Sequence, residues 1–105
     1  MPTGAGTRVF EKGVYVTLIY LTDQGFVPKN VEIKAGEEIR FVNKTSLTMR
    51  VVSDEKLSNQ YYAYFNEPQS VGKGGTYQLS LMQPGLFSYY NLNANPRVTG
   101  QVFVK

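Results

Sequence analysis

Residues 91 to 100 read NLNANPRVTG and place three carboxamides, Asn91, Asn93 and Asn95, at alternate positions ahead of a proline, an arginine and a valine. The stretch has the outline of a metal-binding loop, but amides are poor donors toward soft metals and valine is no donor at all. Few other groups in the chain could do chemistry. Met49 and Met82 carry thioethers, and Asp54, Glu55 and Glu67 carry isolated carboxylates. Neither cysteine nor histidine occurs anywhere in the 105 residues. Their absence excludes disulfides, thiol redox chemistry, Ser-His-Asp or Cys-His nucleophiles, and imidazole or thiolate metal sites. The carboxylates fall in turn-like segments, where solvation is expected rather than acid–base work.

The elements that would position these groups are short strands. VYVTLIYL (14–21) is rich in β-branched and aromatic residues, with Val14, Val16, Leu18 and Tyr20 sharing a parity. Strict alternation then sets Val31 with Ile33, Ile39 with Phe41, and Met49 with Val51 and Ser53. The same pattern groups Tyr77, Leu79 and Leu81, then Phe87, Tyr89 and Asn91, and finally Val102 and Val104. Turn signals KAGE, GKGG and QPG separate these runs. No sustained helical period is present, although SDEKLSNQYYAYF has room for one helical turn. The pattern predicts an all-β fold, a single small β-sandwich of antiparallel type with about seven or eight strands. Residues 1–13 read as an N-terminal extension able to supply a first strand, and 14–105 as the domain.

Several function classes are removed by composition. The net charge is +3, and the excess comes from Lys73, Arg97 and Lys105, with no acid after Glu67. Three scattered cations do not make a nucleic-acid footprint. No apolar run reaches the roughly 20 residues of a membrane span. The start, MPTGAGTR, lacks the apolar stretch of a signal peptide, which leaves a cytoplasmic protein or a chain beginning after a removed leader. VGKGG (71–75) lacks the ending of a phosphate loop and reads as a turn. NKT (43–45) fits a glycosylation sequon, a triplet that also arises by chance. Met82, just before QPG, reads as core or edge packing.

Taken in order, four stretches resemble the cupredoxins, the plastocyanin-like copper proteins. GFVPKNVEIKAGEEIRFVNKT is similar to the opening strands of that family, and SLTMRVVSD to the segment bearing its first histidine ligand. GGTYQLSLMQPGLFSYYN resembles the strand–turn–strand unit that runs into the cysteine ligand, and NPRVTGQVFV the closing stretch with the second histidine and the axial methionine. The resemblance spans residues 14 to 105 and implies a Greek-key cupredoxin-like sandwich. It puts the first histidine position at Met49, the cysteine at Asn91, the second histidine at Asn95 and the axial methionine at Val98. Every ligand is replaced, so no metal, cofactor or catalytic residue is expected.

Asn91 shares parity with Phe87 and Tyr89, so its amide is expected to face inward and bond backbone groups in the 43–50 region. The alternative is a small polar pocket lined by Asn91, Asn93 and Asn95. YYAYF (61–65) is aromatic on both faces, which suits either packing over the end of the sandwich or docking a partner. Tyr61, Tyr62, Tyr64, Asn93 and Arg97 are the residues expected to form a partner surface. The expected function is that of a copper-free, non-catalytic structural or protein-binding module, serving another protein or a neighbouring domain, with no role for nucleic acid or a membrane span. The alternative is weak copper handling through Met49 and nearby oxygens. Family resemblance implies a periplasmic, extracellular or surface-anchored setting.

Overall fold

Lys12 and Gly13 both adopt positive φ, 51° and 85°. This is the geometry that a two-residue hairpin turn requires, and glycine meets it without a steric penalty. The turn joins β1 (Thr7–Glu11) to β2 (Val14–Thr22), with Glu11 paired to Val14. A second short turn leads from β2 into β3 (Gly25–Val27). Then follow β4 (Asn30–Ile33), β5 (Glu38–Asn43), β6 (Val51–Ser53), β7 (Thr76–Ser80), β8 (Gly85–Asn91) and β9 (Val98–Val104). The computed structural model describes residues 7–54 and 66–105. Tyr61, Tyr62, Tyr64 and Glu55 lie outside them, as does most of the segment expected to hold a helical turn.

Two sheets pack face to face. One has the order β1-β2-β5-β7, with β3 beside β2, and the other runs β4-β9-β8-β6. The pairings are not all antiparallel: β2 with β5 and β4 with β9 run parallel. The chain leaves the first sheet after β3, visits the second as β4 and returns as β5, so no hairpin forces β2 and β5 to oppose. The expected antiparallel type is corrected in these two pairs, and the strands in the described residues number nine.

The alternation read from the sequence decides which side chains fill the interior. Val31 and Ile33, Ile39 and Phe41, Phe87 and Tyr89, and Val102 and Val104 are all buried in one core. At its centre the rings of Phe26, Phe41 and Tyr89 meet edge to face, with centroids 4.9–5.9 Å apart. Gly100 lies opposite Tyr89 across β8 and β9. A methyl group there would collide with the Tyr89 ring, so only glycine lets that ring lie across its neighbour. In β2 the core-facing set is Thr17, Ile19 and Leu21, while Val16 is buried on the other face. Leu18 and Tyr20 are only partly covered, because β2 carries large apolar residues on both parities.

Candidate functional site

One end of the sandwich gathers the residues singled out by the sequence. Met49 lies just before β6, fully buried, and exchanges both backbone hydrogen bonds with Val71 at 2.9 Å. Asn91 ends β8, paired with Val51 on one side and Val98 on the other. Its Oδ1 accepts the Arg50 N–H at 2.9 Å and the Asn93 N–H at 3.3 Å. The Leu92 N–H donates to the Arg50 carbonyl at 2.8 Å, closing the junction from the other side. Met49, Asn91 and Val98 are thereby brought to one end, while Asn95 lies exposed on the surface. Asn93, also exposed, reaches back instead: its Nδ2 donates to Thr48 Oγ1 at 3.0 Å and Ser70 Oγ at 2.9 Å.

Beneath this junction sits a second amide. Asn43 ends β5 with no exposed surface. Its Nδ2 donates to the carbonyls of Leu47 and Val71 at 2.8 and 3.1 Å, and its Oδ1 accepts from the Thr45 N–H and hydroxyl at 2.9 and 2.7 Å. Its backbone pairs with the 72–75 turn through Gly74 and Gly75, so VGKGG closes a loop. The NKT triplet is unusable in the folded chain, because the nitrogen a glycan would need is buried and bonded. The sequence placed an asparagine at this strand end but did not reveal that its side chain organises the whole loop.

Two expectations about side chains are corrected here. Asp54 and Glu67 are buried, 3% and 2% exposed, rather than solvated. Asp54 meets Arg97 Nη1 at 3.3 Å, and Glu67 Oε1 accepts the Val51 N–H at 2.8 Å. Met82, expected in packing, is 60% exposed, two residues beyond the end of β7 and next to the fully buried Leu81.

Glu67 is the more consequential of the two acids. Its own N–H donates to the Val51 carbonyl at 2.7 Å, and its carbonyl accepts Arg50 Nε at 2.9 Å. Its second carboxylate oxygen finds no hydrogen bond among the described residues. Burial therefore pushes the carboxyl above its ordinary range, with the Val51 N–H and the Arg50 charge opposing less strongly. A carboxyl that binds its proton more tightly folded than unfolded stabilises the fold most at low pH. That contribution is lost as pH rises from about 4.5 through the raised folded value. Glu67→Gln keeps the acceptor and cannot ionise. Melting temperatures measured across pH should show the variant above the parent at neutral pH, with the gap closing toward pH ~4. Parallel curves would mean that Glu67 is not ionised in a buried setting.

The donor set decides what this end can hold. A blue-copper centre takes a thiolate, two imidazoles and a weak axial ligand. The positions that the sequence resemblance assigns to these ligands carry a sealed thioether, two amides and a valine, and the amide of Asn91 is already engaged with backbone N–H groups. Among the described residues no three carboxylate, thiol or imidazole side chains cluster as a metal site. The residues present do not fit copper.

No family model matches the chain. Plastocyanin A'/A'' of Nicotiana tabacum is 33% identical over 75 residues, covering 62% of this chain and 71% of that protein. Among solved structures, a purple cupredoxin from Nitrosopumilus maritimus matches with a TM-score of 0.70 at 22% identity, covering 84% of this chain and 98% of its own. An amicyanin variant gives the same TM-score at 15% identity, covering 92% of this chain and 86% of its own.

Proposed function

The chain belongs to the cupredoxin family, and we propose that within it this protein is a copper-free member, a non-catalytic structural or protein-binding module rather than an electron carrier. Cupredoxins are usually electron carriers, and that work needs a redox metal held by ligands this chain lacks. The observation that carries the reading is the Asn91 carboxamide. At the position the family resemblance assigns to the cysteine it bonds the Arg50 N–H, joining the two segments that a metal would otherwise join.

The surface offered to a partner lies at the same end. Asn93 and Arg97 are exposed there, and Leu47 and Leu92 are exposed large apolar residues on the two loops that meet. Tyr61, Tyr62 and Tyr64 belong to this proposal by composition alone. The setting proposed is outside the cytoplasm, as for the family.

The second reading, weak copper handling, rests on Met49, whose sulfur is the one soft donor near the site among the described residues. Its complete burial argues against ready metal access. Calorimetric titration with Cu(II) and Cu(I), on the parent and on Met49→Leu, separates the two. A Leu for Met exchange nearly conserves volume and should leave the fold intact. Uptake no stronger than at an ordinary surface, and equal in both proteins, is expected. Stoichiometric uptake that disappears in Met49→Leu would establish copper handling instead.

A further inference from the structure

The strand β1 forms one edge of its sheet: β2 pairs with it on one side, and among the described residues no strand lies on the other. We propose that this edge pairs with the same edge of a second copy of the chain, antiparallel and in register about Val9, so that two copies share one continuous sheet. The inference goes beyond the binding-module reading, since it uses the hairpin edge of the sandwich rather than the loops around Asn91.

The turn decides which backbone groups the edge leaves free. A two-residue hairpin closes on a hydrogen-bonded pair, here Glu11 with Val14, and bonded and non-bonded pairs then alternate along the ladder. Thr7, Val9 and Glu11 therefore turn their N–H and C=O groups toward β2, while those of Arg8 and Phe10 point outward. Among the described residues these outward groups meet no turn or loop. Two antiparallel copies use all of them when Arg8 of each stands opposite Phe10 of the other. Each such pair exchanges both backbone hydrogen bonds, and Val9 faces Val9 on the two-fold axis between them.

The side chains suit that register. Phe10 and Tyr15 lie edge to face with centroids 5.0 Å apart, and the Arg8 guanidinium sits 3.9 Å from the Tyr15 centroid. The two rings are 63% and 43% exposed, an uncovered aromatic pair at the sheet edge. In the dimer each Arg8 meets Phe10 of the other copy, and the two Phe10 rings come within diagonal reach. On the other face Val9 meets Val9 and Thr7 meets Glu11, so no like charges stand opposite. Edge strands are commonly guarded by projecting charges. The two that β1 carries are drawn onto their own sheet instead, Arg8 to Glu37 at 2.7 Å and Glu11 to Arg40. Lys12 lies in the turn past the paired segment, and the two-fold axis sets the two copies' Lys12 at opposite ends of it. A five-residue strand offers less contact than a standard interface, so the dimer forms weakly and at high protein concentration.

The test uses the full chain at increasing concentration. Sedimentation equilibrium should show growth of a dimer, and hydrogen exchange should slow at the Arg8 and Phe10 amides, those of Thr7, Val9 and Glu11 being protected already. A mixture of isotope-labelled and unlabelled copies should give a filtered NOE between the Val9 Hα protons of the two chains, because a non-bonded antiparallel pair brings its Cα atoms closest. Phe10→Lys sets a cation against Arg8 on both sides of the axis and should weaken association about tenfold. If that variant fails to fold, the Val9 contact decides alone. A chain that stays monomeric, or a dimer lacking both the Val9 contact and protection of the Arg8 and Phe10 amides, would overturn the proposal. So would association undiminished in a folded Phe10→Lys protein.

Discussion

Asn43→Ala should be the most damaging single truncation of a polar side chain in this protein. The carboxamide serves the Leu47 carbonyl and the Thr45 N–H and hydroxyl in the loop that leads to Met49, and the Val71 carbonyl across from it. A buried polar group left without its partner costs about 1–3 kcal/mol, so stranding several should cost about 3–6 kcal/mol. Asn91→Ala removes a single acceptor from the Arg50 and Asn93 N–H groups and should cost about 1–3 kcal/mol. Denaturant unfolding of both variants measures the ranking. If Asn43→Ala fails to fold, Asn43→Asp keeps the acceptor oxygen but sets a buried carboxylate against the Leu47 and Val71 carbonyls. It should be less stable than the parent and regain stability as the pH falls and the acid takes up a proton. An Asn91→Ala protein as stable as the parent would show that the amide does not bind the two loops together.

Restoring the missing ligands should produce a coloured protein. Met49→His, Asn91→Cys and Val98→Met place three donors at the end where β6, β8 and β9 meet. The second imidazole can be supplied by Asn95→His, the position the family resemblance implies, although Asn95 lies exposed. A parallel version uses Asn93→His, because Asn93 already reaches Thr48, the neighbour of Met49. At least one version should take up copper and develop an intense band near about 600 nm, where copper–thiolate charge transfer absorbs. A distorted site would shift the colour toward green. Two colourless proteins, both folded, would mean that the loop geometry is no longer that of a copper cupredoxin.

The strand faces were readable wherever one side of a strand is wet. Glu38 and Arg40 against Ile39 and Phe41 leave no doubt which side turns inward, and the same holds for Val102 and Val104 beside Gln101 and Phe103. In β2 apolar residues fall on both parities, so alternation could not choose between Leu18 and Ile19. The parallel pairs were not readable because they follow from where the chain changes sheets, which alternation does not encode. The absence of the family's thiolate and imidazole ligands was plain from composition, since no rearrangement supplies a side chain that the chain lacks. The burial of Asp54 and Glu67 was hidden because their partners, Arg97 and the Val51 N–H, lie 43 and 16 residues away. The role of Asn43 was hidden for another reason: an asparagine at a strand end reads the same whether it points to water or gathers four hydrogen bonds.

Voltammetry of the purified chain, after incubation with excess copper and removal of unbound metal, tests the central claim most directly. A cupredoxin that has given its metal end over to amide hydrogen bonds should retain no electroactive copper and give only the response of the electrode. A reversible one-electron wave, scaling with protein concentration, would contradict the account and return the chain to the electron carriers of its family.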